Sequence, residues 1–350
     1  MSPITLAVAA ALLTTAIALF LQKPAHRFGL VDKPGGRKRH RESVPLVGGI
    51  AIAASIGTLL PVIGPLSTHH HILLTASAVM LFIGVIDDWN GLSPRTKLLC
   101  QAIAALMMAH WAGVALTSLG DIFSLGPIVL GLFAIPVTVF AVLSVMNGIN
   151  MFDGLNGLAG GTCLSILALL AMLAAMVGDT DALLMLTASA GAVAGFLVLN
   201  MPIPGTRSRQ VFLGDAGSLL LGFVVAWFTV ELSQRPTGLS VPPIVMPWVL
   251  SLVLYDLFTV TVRRALRGRN LFAPDRTHLH HLLLRRGLSE GHTVAWIVGV
   301  NSLLALMAIT GWLWGVPEWL LFVAFLFTGA GYVAMFLFPT RALRRAWRMR

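Results

Sequence analysis

Long stretches in which nearly every position is apolar alternate along the chain with short clusters of charged, Gly and Pro residues. A helix that crosses the hydrocarbon layer needs roughly 17 to 25 apolar residues. Measured against that length, the pattern predicts helices over 3–21, 46–66, 70–86, 97–116, 127–146, 158–177, 182–200, 216–233, 242–262, 293–314 and 319–338. The expected architecture is an all-α integral membrane protein of about eleven transmembrane helices, a single polytopic domain over residues 1–350. The third run is short, and Pro242, Pro243 and Pro247 invite a break in the ninth. The first run has no basic region before it and no convincing cleavage site, and a strongly basic loop follows it. It therefore reads as a retained helix rather than a signal peptide.

Composition agrees with this pattern: 57% of the residues are hydrophobic and 11% charged, against about a quarter charged in soluble domains. The net charge of +10 does not point to nucleic acid, because the basic residues sit beside apolar runs, where they set orientation and meet anionic lipid headgroups. With eleven spans, all Lys and Arg residues except Arg235 fall on one side. The positive-inside rule makes that side cytoplasmic. The N-terminus is then periplasmic and the C-terminus cytoplasmic, with a cytoplasmic loop over 263–292 and a basic tail over 339–350. Cys100 and Cys163 lie in apolar runs without metal spacing or a disulfide framework.

Four polar motifs fall on the cytoplasmic side, and an acid or histidine beside a hydrocarbon layer is by default a functional-site hypothesis. Asp87-Asp88 closes the third helix, with Lys97 and Gln101 following at the start of the fourth. Two adjacent carboxylates call for a cation, and Mg2+ takes one or two carboxylates plus phosphate; a solvated turn is the alternative. From Asn147 through Asn150 and Asp153 to Asn156, polar side chains recur at every third position among glycines. That stripe stays on one side of a helix for two turns, as a site or as a polar seam between helices. Asp215, within Phe212-Leu-Gly-Asp215, opens the eighth helix, where free N–H groups suit phosphate; it can hold a metal there, serve as N-cap, or do both. His278-Leu-His280-His281 lies in a short amphipathic stretch that places His278, His281 and Arg285 on one face and Leu279, Leu282 and Leu283 on another. Such a helix could offer donors to phosphate; zinc is the competing reading. Asp256, two turns before Arg263, fits an ion pair or a catalytic role. His69, His70 and His71 lie in an outside loop and read as incidental.

Acids for a hard metal, a helix N-terminus and a His/Arg helix together point to phosphoryl chemistry, which consists mostly of positioning and charge neutralisation. Their place at the membrane edge points to a lipid substrate. The acids gather at one edge rather than at the midplane, and no Gly/Pro-broken helix pair recurs in matching halves, unlike many transporters.

The combination resembles the polyprenyl-phosphate N-acetylhexosamine-1-phosphate transferases, in the branch that uses UDP-GlcNAc. The likeness runs in order from Gly29-Leu-Val-Asp-Lys-Pro through Arg37-Lys-Arg-His40, Pro45-Leu-Val-Gly-Gly49, Ser118-Leu-Gly120 and all four motifs, the last within Phe272-Ala-Pro-Asp-Arg-Thr-His278-Leu-His280-His281. The resemblance implies transfer of GlcNAc-1-phosphate from UDP-GlcNAc to undecaprenyl phosphate in the bacterial inner membrane, with Mg2+ or Mn2+, at an active site formed by cytoplasmic loops. It leaves open a homodimer and other UDP-sugars, including UDP-MurNAc-pentapeptide. Carried over by position, it makes Asp87, Asp88, Asp153 and His281 catalytic and Asp215, with Asp88, the metal ligands. Lys97, Asn150, Asn156, Phe212, Arg276, His278, His280 and Arg285 become substrate contacts, Phe212 by stacking on uracil. Many members carry Asp where this chain has Asn156, but an amide can serve both the N3–H and O4 of uracil.

Overall fold

The computed structural model describes residues 1–32, 43–64, 67–201, 210–235, 239–268 and 278–337. Arg276 and the tail over 339–350 lie outside them. In chain order the helices are α1 (Pro3–Phe28), α2 (Gly48–Ile63), α3 (Thr68–Asn90), α4 (Pro94–Leu106), α5 (Ala134–Phe152), α6 (Leu158–Met176), α7 (Thr180–Asn200) and α8 (Gly214–Ser233). They continue with α9 (Val245–Val249), α10 (Ser251–Leu266), α11 (Leu279–Arg285), α12 (Glu290–Leu313) and α13 (Glu318–Leu337). One two-stranded antiparallel ribbon, β1 (Val31–Asp32) with β2 (Val44–Pro45), and an isolated antiparallel bridge between Ser118 and Val129 are the β features among the described residues.

Each apolar run of the sequence contains a helix, and among the described residues eight helices are long and apolar enough to cross a membrane. The protein is a multi-pass helical membrane protein. Three differences from the expected bounds bear on the site. Helix α3 continues to Asn90, so the acidic pair lies in its last turns rather than beyond its end. Helix α5 is displaced toward the C-terminus and ends at Phe152. Asn147 and Asn150 are therefore on the helix, Asp153 caps it, and Asn156 stands in the turn before α6. The three-residue stripe does not continue as one helical face, because the Gly-rich turn ends in Gly157 at a left-handed φ of 79°. The ninth run divides at Leu250 into α9 and α10, as its prolines allow.

The bundle is organised around α8, in which every residue except Asp215 and Glu231 is buried. Helices α3 and α5 flank it, and α1 packs along α7 on the other side of the bundle. The α1–α7 contact is close because Gly191 and Gly195 face the backbone of α1: a Cβ on either would come within 2.2 Å of the Ala7 or Ala11 carbonyl oxygen. Small residues four apart allow this backbone approach, and membrane helices associate largely through such packing.

Hydrogen bonds assign the loops to two ends. At one end Leu46 N–H donates to the Leu30 carbonyl, Gly48 N–H to that of Phe212, and Phe212 N–H to that of Pro45. At the other, the Gln234 side chain ties to the backbone of Thr117 and Ser118, and Arg235 pairs with Asp179.

Candidate active site

Three helix ends meet where the α8 N-terminus begins. Gly214 has a φ of 72°, and a Cβ there would fall 2.5 Å from Asp88 Oδ2. Only a glycine gives the carboxylate room to reach the first turn of α8. Asp88 uses it: Oδ1 accepts from Asp215 N–H at 2.8 Å and Oδ2 from Ala216 N–H at 3.0 Å. Two of the orphan donors of α8 are thereby satisfied by a negative charge at the positive end of the dipole. The cap of α8 is thus supplied by α3, and Asp215 is not its own helix's N-cap, contrary to the alternative open from sequence. The Asp215 carboxylate is released for other contacts: Oδ1 accepts from Asn150 Nδ2 at 2.6 Å, and Oδ2 lies 3.3 Å from Lys97 Nζ.

Asp87 is buried; its Oδ1 accepts from Leu92 N–H at 2.6 Å, and its other oxygen contacts Lys97. Lys97, at the start of α4, therefore serves both Asp87 and Asp215. Asn150 reaches Ser218 Oγ at 2.8 Å, and Asn147 donates to Gln101 Oε1 at 2.7 Å, joining α5 to α8 and α4. Asp153 follows the last residue of α5 with part of its surface exposed, while its carboxyl end is crowded by the atoms of the bundle. The loss of surrounding water there, with the charges of Asp215 and Asp88, pushes its carboxyl up to about 8.

The histidines approach from the other side. His278 is the N-cap position of α11 rather than a member of its helical face, and it is buried. Its Nδ1 lies 2.6 Å from Asp256 Oδ2. Asp256 Oδ1 also accepts from Leu279 N–H at 3.0 Å and from the Tyr332 hydroxyl at 2.8 Å. His278 and His280 stack at 8° between ring planes, and His281 follows with its ring centroid 4.2 Å from that of His280. His280 Nε2 is buried without a hydrogen-bond partner and would meet a Cβ on Gly154 at 3.1 Å. The histidine helix therefore abuts the turn that follows Asp153. Burial, reinforced by His281 and His278, pushes the His280 imidazole down to about 3, so the ring is neutral at ordinary pH. Leu279 and Leu282 are buried as the amphipathic pattern requires, but His280 is buried with them.

Asp87, Asp88, Lys97, Asn150 and Asp215 are thus joined by direct contacts, Asp153 acts on them through charge, and His278, His280 and His281 form an adjoining cluster. Phe212 is half-buried immediately before α8, Asn156 occupies the α5–α6 turn, and Arg285 is in the last turn of α11. Sequence reasoning missed the Asp256 connection to His278 and Tyr332 and the role of Ser218. Nothing local marks them, because Asp256 and Tyr332 are 76 residues apart in the chain. The donors at the α8 end are carboxylate and amide oxygens without a thiol, a set suited to a hard divalent cation.

A multi-pass helical protein with a lysine-bridged carboxylate recess at one end is the class that fold and geometry define. Sequence comparison narrows it. Residues 70–233 match the model of glycosyl transferase family 4. The chain is 35% identical over 339 residues to the undecaprenyl-phosphate alpha-N-acetylglucosaminyl 1-phosphate transferase of Escherichia coli strain K12, covering 97% of this chain and 90% of the relative. It is 32% identical over 339 residues to the protein of the same name from Yersinia pestis, with the same coverage. The Haemophilus influenzae counterpart is 32% identical over 336 residues, with 95% of this chain and 92% of that protein covered. The chain belongs to glycosyl transferase family 4.

Proposed function

We propose that this protein transfers GlcNAc-1-phosphate from UDP-GlcNAc to undecaprenyl phosphate, giving undecaprenyl-diphosphate-GlcNAc and UMP, as a first membrane step in cell-surface polysaccharide synthesis. The observation that carries the reading is the junction of Asp88, Asp215, Asn150 and Lys97 at the α8 N-terminus, in a chain related over nearly its whole length to enzymes named for that transfer. An apolar cavity of about 300 Å3 between α5, α8, α9 and α10 runs from Ser233, Pro243 and Ile244, on the side of the Gln234 contacts, to Val145 and Phe258 nearer the site, and supports a polyprenyl acceptor. It offers hydrocarbon surface within the bundle, and Val145 is less than two turns from Asn150.

In this mechanism an oxygen of the lipid phosphate forms a bond to the sugar-linked phosphorus, and the bond from that phosphorus to the UMP oxygen breaks. A phosphate monoester has a second pKa near 6, so the acceptor is largely dianionic at cytoplasmic pH and needs little help from a base. Asp87 orients it or takes its residual proton. Lys97 neutralises charge between Asp87 and the donor side, and Asn150 fixes the Asp215 carboxylate. Asp215, with Asp88, would hold Mg2+ or Mn2+, which would supply charge neutralisation for the diphosphate. Asp88, with both oxygens occupied by backbone N–H groups, acts chiefly by holding the α8 N-terminus in place. The histidine helix closes the diphosphate side, Phe212 stacks on uracil, and Asn156 reads the base edge. Asp153, its raised carboxyl largely protonated at cytoplasmic pH, and His281 act at the reacting phosphates, and Arg276 and Arg285 complete the anionic-substrate contacts.

The proposed arrangement in the membrane has eleven spans, the N-terminus in the periplasm, and the site, the 263–292 segment and the C-terminal tail at the cytoplasmic face of the inner membrane. Its support is the clustering of Lys and Arg at the site end and the pairing of Arg235, the exception, with Asp179 at the opposite end.

Incubation of purified protein with undecaprenyl phosphate, Mg2+ and a panel of UDP-sugars, followed by mass analysis of the lipid product, tests donor, acceptor and reaction together. Product from UDP-GlcNAc is expected; turnover with UDP-MurNAc-pentapeptide alone would reject the donor assignment. Asp87→Asn is expected to bind nucleotide while losing most turnover, and a sugar-phosphate adduct trapped on the protein would overturn direct displacement.

A further inference from the structure

A second polar cluster lies at the opposite ends of the two helices that build the recess. His69 and His70 belong to the first turn of α3, and Glu231 to the last turn of α8. The histidines are therefore not in a loop, and they are not incidental. His69 Nε2 lies 2.8 Å and His70 Nε2 3.2 Å from Glu231 Oε1, and the three donor atoms fall within 4.8 Å of one another. Sixteen residues of α8 separate Glu231 from Asp215, about 24 Å along the helix axis, so the two sites are distinct.

From this geometry we infer that His69, His70 and Glu231 form a site for a Zn2+-class transition-metal ion that clamps α3 to α8. The atom that points to an ion is His70 Nε2. His70 is 1% exposed, and its buried Nε2 faces Glu231 Oε1 at 3.2 Å without a well-aligned hydrogen bond. A buried imidazole nitrogen whose contact with a carboxylate is poorly aligned forgoes part of its hydrogen-bond energy, and a metal ion shared with that carboxylate would satisfy both. Its other nitrogen, Nδ1, lies 2.8 Å from Ser67 Oγ. A proton held there by the serine leaves a lone pair on Nε2, the tautomer a ligand requires. The carboxylate is oriented in the same way, with Trp227 Nε1–H donating to Glu231 Oε2 at 2.9 Å. Outer partners that fix both ligands are characteristic of built metal sites.

The two spacings to the carboxylate suit the ion as well. Zinc–nitrogen bonds of about 2.0 to 2.1 Å in a tetrahedron put neighbouring ligand atoms roughly 3.3 Å apart. The pair from His70 stands at that separation, and the pair from His69 needs to open by about half an ångström. Two imidazoles with one carboxylate prefer zinc and its neighbours to Mg2+, whereas the recess offers hard oxygen donors. A fourth position is left for water, since the His69 side chain is 36% exposed.

Full-length protein in detergent, stripped of transition metals and kept in Mg2+, is to be titrated with Zn2+ against a chromophoric chelator and with Co2+ by visible absorption. One equivalent bound, a tetrahedral Co2+ band and a higher melting temperature with Zn2+ are expected. His69→Ala, at a partly exposed position, and Glu231→Gln should each weaken Zn2+ binding at least about tenfold. UMP release by His69→Ala without added zinc should match the parent, which shows that the variant is folded. No stoichiometric Zn2+ binding to the parent protein, or unchanged affinity in His69→Ala, would overturn the site and leave a hydrogen-bonded triad.

Discussion

Asp88 illustrates how one side chain can serve a site without facing the substrate. Both of its oxygens hold backbone N–H groups of α8, so Asp88→Ala removes an N-cap from another helix. By analogy with N-cap truncations, a stability loss of about 1 kcal/mol is expected, measurable as a lower melting temperature in detergent, together with loss of turnover as Asp215 shifts. At Asp153 the charge works against folding. Crowding by the bundle, with the charges of Asp215 and Asp88, pushes its carboxyl up to about 8 in the folded protein, against about 3.9 in an unfolded chain. Between those values the folded state holds a proton that the unfolded state has released, so the stabilising contribution is complete at low pH and disappears as pH rises through 8. Asp153→Asn should therefore melt like the parent near pH 4 and increasingly above it toward pH 8 to 9, while transferring sugar phosphate poorly. A melting difference that shrinks with rising pH would contradict this assignment.

Among the elements, the apolar runs were readable because a membrane span must be long and nearly uniform, and no competing pattern of that length exists in the chain. Their ends were less readable. The displacement of α5 to Ala134–Phe152 followed from helix propagation through Met146, Asn147 and Gly148 until Gly154 and Gly157 stopped it, and hydropathy alone does not register that competition. Similarly, the histidine motif showed that a short helix was present, but not that His278 would be drawn out of its first turn by Asp256. The acidic pair, the Asn150 position and Asp215 were visible as residues; their joining through Lys97 and the capping of α8 by Asp88 were not, because these contacts cross as many as 128 positions. The α1–α7 seam also left no hydropathy signal, since it depends on absent side chains at Gly191 and Gly195. Gly195→Leu should force the helices apart and cost more than about 1 to 3 kcal/mol, the range for overpacking, because backbone rather than a flexible side chain stands in the way. Thermal unfolding should show it, with little effect on nucleotide affinity in protein that remains folded.

At the scale of the molecule the polar residues divide between two ends, and the orientation can be tested without assaying the enzyme. Trp89 is exposed at the recess end, close to Asp88, and Asp181 is exposed at the other, close to Asp179. Single cysteines at these positions in a background lacking Cys100 and Cys163 should react differently with a membrane-impermeant maleimide. In intact cells with a permeabilised outer membrane, the Asp181→Cys protein should be labelled and the Trp89→Cys protein spared, with the pattern reversed in inverted inner-membrane vesicles. Labelling of both from the same side would contradict the three spans placed between them.

Helix α8 has a further consequence for biogenesis. It is the least apolar of the eight candidate spans, and in the finished bundle only its two acids escape burial. During synthesis it must enter the bilayer before α9 and α10 exist to cover it, relying on the helices already inserted. Its residence there is conditional on company, so a nascent chain halted just after Ser233 should hold this segment weakly. The helix on which the proposed chemistry is assembled is thus also the one whose insertion depends most on the rest of the protein.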